Sequence, residues 1–141
     1  SGVAPMLFLA KIAGLEPSNV TILIGARSAS DHVDISAYKS FGQFYFTTED
    51  GSLGERGYVT NHPVFAENLN QYSKIYTCGP DLMMKAIGRK AIEENIFCEV
   101  SLENMMACGF GVCLCCVEDT KAGHKCVCTD GPVFNVNDLK W

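Results

Sequence analysis

The cysteines of this chain are gathered rather than spread. Residues 1–77 contain none, Cys78 and Cys98 stand apart, and the other six of the eight fall within MACGFGVCLCCVEDTKAGHKCVCTDGP, residues 106–132. A segment this short and this rich in Cys and Gly cannot hold itself together by apolar burial alone, so the thiols are the candidate staple. Three staples are open: a disulfide frame, a structural zinc site and an iron–sulfur centre. A disulfide scaffold belongs to secreted chains and distributes its bridges through them. The start, SGVAPMLFLAKIAG, has neither a charged leader nor a cleavage site, which points to a reducing, cytoplasmic compartment. It also lacks an initiator Met and opens into an apolar segment, so the expectation is a C-terminal fragment of something longer.

The spacing separates the remaining two. Cys108 to Cys113 is C-x4-C, Cys113 to Cys116 is C-x2-C, and Cys128 follows after eleven residues. That series is the plant-type spacing for a 2Fe–2S cluster. A zinc ribbon more often shows two separated knuckles, and CVC at 126–128 makes an awkward second one. Gly109 and Gly111 let the backbone wrap closely around anionic sulfurs and turn N–H groups toward them. Cys108, Cys113, Cys116 and Cys128 are therefore the candidate metal ligands. Cys115 and Cys126 are read as non-ligands, and Cys98, in an apolar run, as a core thiol.

Upstream of about residue 102 the pattern is that of an α/β domain. VTILIGA, QFYFTT, KIYTCG and IFCEVSL read as strands, and DLMMKAIGRKAIEEN as a helix with Leu82, Met83, Ala86, Ile87 and Ile92 near helical spacing. Strands separated by helices imply a parallel sheet with helices on its faces. A polar turn between LCCVE and KCVC reads as a hairpin. The expected division is a nucleotide-binding domain over 1–103 and a cluster domain over 104–141. The formal charge of −5, with no long basic run, argues against nucleic acid or an anionic membrane surface as main partners. No apolar stretch approaches a membrane span.

Two corners suit a phosphate or nucleotide. Gly2, Val3, Ala4 and Pro5 form a Gly turn running into an apolar helix, whose N-terminal N–H groups favour an anion. Cys78, Gly79 and Pro80 form a strand–turn–helix corner at the carboxyl edge of a sheet, where ligands of open α/β sheets collect. The plainer reading of each is an ordinary turn.

Taken together, GVAP, GAR, TEDGSLGERGYVT, CGPDLMM and the cysteine tail ending in DGPVF resemble the electron-transfer subunits of dihydroorotate dehydrogenase B, in the ferredoxin reductase superfamily. The resemblance covers nearly the whole chain. It implies a truncated ferredoxin-reductase-type nucleotide domain, whose first strand and FAD-binding barrel would precede GVAP, followed by a small 2Fe–2S domain. It also implies NAD(H), FAD and a 2Fe–2S cluster as cofactors, and a partner subunit that oxidises dihydroorotate at FMN in pyrimidine biosynthesis, the two forming a heterotetramer. Residues Gly2–Pro5 would approach the dinucleotide pyrophosphate, and Cys78, Gly79 and Pro80 the nicotinamide. Glu49, Asp50 and Tyr58 fall where NADP-using members of the superfamily carry Ser-Arg and an adenine-stacking Tyr. A carboxylate accepts from a ribose 2′-hydroxyl and repels a 2′-phosphate, so NAD(H) is the expected dinucleotide, although Arg56 pulls the other way. The residues EDGS alone also read as a solvated turn.

Rival expectations are a related FAD/2Fe–2S subunit of ferredoxin:NADP⁺ oxidoreductase, sulfide dehydrogenase or hydrogenase type, and a non-catalytic domain stapled by zinc. In the first of these types the position of Cys108 is typically Asp.

Overall fold

The computed structural model describes residues 2–141. They fall into two compact units, one of residues 3–69 and one of residues 70–141 together with residue 2.

In the first unit, helix α1 (Val3–Ile12) buries Leu7, and three parallel strands follow: β1 (Thr21–Ala26), β2 (Gln43–Thr48) and the two-residue β3 (Glu55–Arg56). The β-branched and aromatic residues of TILIGA and QFYFTT favour extended backbone. They pair in register from Thr21 opposite Gln43 to Ala26 opposite Thr48. Leu7, Ile24 and Ile35 form the core, with Val3, Ile22, Tyr38, Phe44 and Phe46 packed against it. Between β1 and β2 the chain runs through short 3-10 turns at Ala29–Asp31 and Ser36–Phe41. A single helical turn, α2 (Pro63–Ala66), starts where His62 Nδ1 accepts from the Val64 N–H at 3.2 Å.

The second unit opens with β4 (Lys74–Cys78), helix α3 (Asp81–Glu93) and β5 (Phe97–Ser101), with β4 and β5 parallel. The sequence-based expectation of parallel strands bridged by a helix is met here. The buried face of α3 is not the one read from its bulky residues. It consists of Met84, Ile87, Gly88 and Ala91, while Leu82 is 81 % exposed. These positions follow i, i+3, i+4, i+7, the spacing of one helix face. Two of the four are small, which is why a search for large side chains misplaces the stripe. Gly88 is small because a Cβ there would stand 3.0 Å from Val136 Cγ1.

The cysteine-rich tail continues this unit. Strands β6 (Val117–Thr120) and β7 (Gly123–Cys126) form the expected hairpin. Next come the single turn α4 (Val127–Asp130) and β8 (Val133–Asn135), which pairs antiparallel with β5. Side chains bind the tail further: Glu118 accepts from Asn104 Nδ2 at 3.2 Å and from Trp141 Nε1 at 3.1 Å. Val127 and Val136 are buried beside Val100 and Cys98 in rank of burial, so the tail contributes apolar residues to the unit's interior. The whole is an α/β fold with parallel strands. No helix among the described residues is long and apolar enough to cross a membrane.

Candidate functional site

The loop from Cys108 to Cys116 has almost no regular structure, and its order comes from N–H groups directed at sulfur. The Cys113 N–H donates to Cys108 Sγ at 3.4 Å, and the Cys128 N–H donates to Cys116 Sγ at 3.4 Å. Thus the four expected ligands are brought together as two pairs, Cys108 with Cys113 and Cys116 with Cys128. Among the described residues, no three His, Cys, Asp or Glu groups gather as they would around a single metal ion. Gly109 and Gly111 both have positive φ, +76° and +82°, and let the loop turn its amides inward.

The electrostatics follow from those donors. N–H groups of Cys113 and Phe110, then the Cys113 side chain, lower the Cys108 thiol to about 6. The Cys128 N–H and thiol lower Cys116 in the same sense. Cys128 is raised, because its thiol is the donor in the pair with Cys116 and burial adds to this, although the Gly111 N–H works against both. N–H groups that lower the Cys108 and Cys116 thiols suit a thiolate-ligated centre, since metal ligands must be deprotonated. All eight cysteines are free thiols, so no disulfide joins the described residues.

The two remaining tail thiols differ. Cys115 is exposed, and its N–H donates to Cys113 Sγ at 3.4 Å. Cys126 is half-buried, with its Sγ donating toward the Gly111 carbonyl at 3.9 Å and its N–H donating to Asp130 Oδ2 at 2.8 Å. Burial, then the negative charge of Cys116, raises its thiol. Cys98 is fully buried on β5, and desolvation pushes it up to about 12, as befits a core thiol.

At the carboxyl end of β4, Cys78 is buried and its Sγ donates to Glu103 Oε1 at 3.6 Å. Burial, then the Glu103 charge, raises this thiol. A Cβ on Gly2 would collide with the Cys78 carbonyl and stand 2.9 Å from the Gly79 nitrogen. Gly2, Cys78 and Gly79 are therefore one tight backbone corner, open only to glycine at position 2. Pro80 caps α3. Val3, Ala4 and Pro5 are the first turn of α1, in the other unit. Glu103 was not among the residues expected to matter. The only sequence signal for it is an acidic side chain where the apolar strand gives way to the Cys-rich segment.

The third expected region lies past β2. The Gly57 N–H returns to the Thr48 carbonyl at 2.8 Å, closing a loop over residues 49–56. Asp50 Oδ1 accepts from both the Ser52 N–H at 2.9 Å and the Ser52 hydroxyl at 2.6 Å. These bonds, the hydroxyl first, lower its carboxyl. That is the turn chemistry foreseen for EDGS, and it engages Asp50 locally. Glu49 is exposed, and Tyr58 is 64 % exposed.

Comparison with known proteins bears on all of these regions. Residues 103–140 match the family model described as the iron-sulfur cluster binding domain of dihydroorotate dehydrogenase B. The electron transfer subunit of dihydroorotate dehydrogenase B (NAD(+)) from Clostridium acetobutylicum is 38% identical over 138 residues, which is 98% of this chain and 53% of that protein. The chain is a relative of the dihydroorotate dehydrogenase B electron-transfer subunits. The corresponding subunit of Caldanaerobacter subterraneus is likewise 38% identical, over 94% of this chain and 53% of its own length. The chain spans about half the length of these relatives. Among solved structures, one described as an NADH-dependent reduced ferredoxin-NADP oxidoreductase superposes with a TM-score of 0.74 at 26% identity, over 97% of this chain and 49% of that one. The α/β architecture of this chain is thus shared with that ferredoxin-NADP oxidoreductase structure.

Proposed function

We propose that this chain is part of an electron-transfer subunit, with 2Fe–2S, FAD and NAD(H) as cofactors, that links dihydroorotate oxidation at FMN in a partner subunit to reduction of NAD⁺. The observation that carries this reading is the pairing of four thiols, with inward N–H donors, inside the segment that matches the cluster-binding family. Residues 104–141 are the cluster domain in this reading, and residues 1–103 the NAD-binding domain. Two pairs of thiolates suit a binuclear centre, two ligands to each iron. Cys108 and Cys113 form one pair, Cys116 and Cys128 the other. Bound there, the cluster supplies one-electron exchange, the chemistry needed between two flavins.

The chain's own residues hold and shield. Amides of the Cys108–Cys113 loop offset thiolate charge, and burial of Cys116 keeps water from its sulfur. Gly2 and Gly79 let backbone approach a pyrophosphate and nicotinamide beside Cys78 and Pro80. Gly2, Val3 and Ala4 offer helix N-terminal amides to the phosphates, and Pro5, which has no N–H to give, sits in the first turn behind them. Glu49 is the carboxylate left for a ribose 2′-hydroxyl, since Asp50 is engaged by Ser52. Tyr58, well exposed, is available to stack on adenine.

The apolar side chains around the ligands face outward: Phe110 is 67 % exposed, Val112 71 % and Leu114 64 %. This rim supports docking to the flavoprotein partner, in a cytoplasmic heterotetramer. The ferredoxin-NADP oxidoreductase likeness favours a second reading, but Cys108 stands where that type typically has Asp. The test is steady-state NAD⁺ reduction by dihydroorotate in the full-length protein purified with its flavoprotein partner. The expected result is turnover with a preference for NAD⁺ over NADP⁺ of about ten- to hundredfold, the effect of one carboxylate near a 2′-phosphate. Ferredoxin-dependent turnover without dihydroorotate activity would sink the proposal.

A further inference from the structure

Cys126 stands at the mouth of the cysteine loop, and nothing in the proposed function uses it. Its Sγ reaches the carbonyl of Gly111, and the N–H of the same Gly111 lies against the Cys128 sulfur. The sulfurs of Cys126 and Cys128 thus converge on one residue of the loop between Cys108 and Cys113. Gly111 is itself in the loop between the ligands Cys108 and Cys113, so the Cys126 sulfur borders the ligand loop. Cys115, the other spare thiol, is exposed, and it meets the ligands through its backbone, its N–H donating to Cys113 Sγ. The two positions are also mechanically linked: Cys126 caps α4, and Cys128 is the second residue of that turn. The Cys126 N–H to Asp130 Oδ2 bond closes the turn around both.

We propose that Cys126 is a reserve ligand of the 2Fe–2S site, able to take the iron position of Cys128. This rests on the assignment of Cys108, Cys113, Cys116 and Cys128 as the working ligands. Cys128 has first claim because its sulfur receives the Gly111 N–H, whereas the Cys126 sulfur is turned to the carbonyl of the same residue. When Cys128 is absent, the Cys126 thiol gives its proton to solvent and forms the iron–sulfur bond that Cys128 would have made. No electron changes hands. The exchange is local, since Cys126 caps α4 and Cys128 is the second residue of that turn, and it gives the site tolerance to loss of its last ligand.

The experiment compares four forms of the full-length protein, expressed with its partner: the natural sequence, Cys128→Ala, Cys126→Ala/Cys128→Ala and Cys115→Ala/Cys128→Ala. Alanine is used because a serine oxygen can itself bind iron. Iron and acid-labile sulfide are assayed, with visible absorption and the electron paramagnetic resonance of the reduced protein. The expected result is that Cys128→Ala keeps most of its iron with altered g-values, that Cys115→Ala/Cys128→Ala matches it, and that Cys126→Ala/Cys128→Ala loses the cluster. A Cys128→Ala protein as empty as the Cys126→Ala/Cys128→Ala form, or unable to fold, overturns the reserve ligand while a red-brown natural protein leaves the four-ligand assignment standing. Loss of iron from Cys115→Ala/Cys128→Ala moves the role to Cys115 and overturns it for Cys126. A natural protein without iron overturns both.

Discussion

Within the unit of residues 70–141, the strand–helix half and the cysteine loop are built in opposite senses. From β4 to β5 the apolar side chains go inward: Met84, Ile87, Ala91, Val100 and even Cys98 are buried. From Cys108 to Cys116 the apolar side chains Phe110, Val112 and Leu114 go outward, while amides are turned on sulfur. The same residue type meets opposite fates. Apolar walls push the Cys98 thiol up to about 12, and converging N–H groups pull Cys108 down to about 6. Cysteine chemistry in this chain is decided by what surrounds each sulfur, apolar burial in one half and backbone N–H groups in the other.

That contrast is broken or sharpened by substitution in each half. The largest effect is expected at Cys116, the most buried of the loop thiols at 2 % exposure. Cys116→Ala should abolish visible absorption and iron content outright, while far-ultraviolet circular dichroism keeps the signal of α3. Met84→Ala, in the other half, should cost about 2–5 kcal/mol in urea unfolding through lost burial and a residual cavity. It should leave the spectrum of the folded fraction unchanged, and a bleached but stable Met84→Ala protein would show that the halves are not independent.

A third effect separates the halves by pH. Because Cys98 has its thiol raised in the folded state, its contribution is full below the ordinary value of 9.0 and fades as pH climbs toward about 12. Native-state alkylation should therefore spare Cys98 at pH 9, the ordinary thiol value; rapid labelling there would contradict its burial. The smallest effect is expected at Leu114, a non-glycine residue at φ +56° on the exposed rim. Leu114→Gly should relieve strain of about 1 kcal/mol or less and raise the thermal midpoint slightly. A clear loss of stability would mean that the leucine side chain packs on something that matters.

The legible parts of this molecule were those with local causes. QFYFTT coincides with β2 because alternating β-formers bounded by Gly and Thr-Glu-Asp have one good local solution. The C-x4-C-x2-C spacing pointed to sulfurs that the loop does bring into pairs. What was not legible depends on partners far along the chain. The three residues of β8 carry too little pattern to announce an antiparallel pairing with β5. The true face of α3 includes Gly88 and Ala91, both small, and Gly88 leaves room for Val136 rather than supplying bulk. The contact of Cys78 with Glu103 spans 25 residues of sequence. Spacing reads Cys115 and Cys126 alike as non-ligands, and only the fold shows the Cys126 sulfur against Gly111 of the ligand loop.

The central claim is that paired thiols, not burial, make the tail an iron–sulfur site. It is tested most directly by metal and sulfide analysis of the protein purified without oxygen, read beside its visible spectrum. The account predicts a red-brown protein with about two iron atoms and two acid-labile sulfides per chain. A colourless, folded protein carrying zinc and no labile sulfide would contradict it.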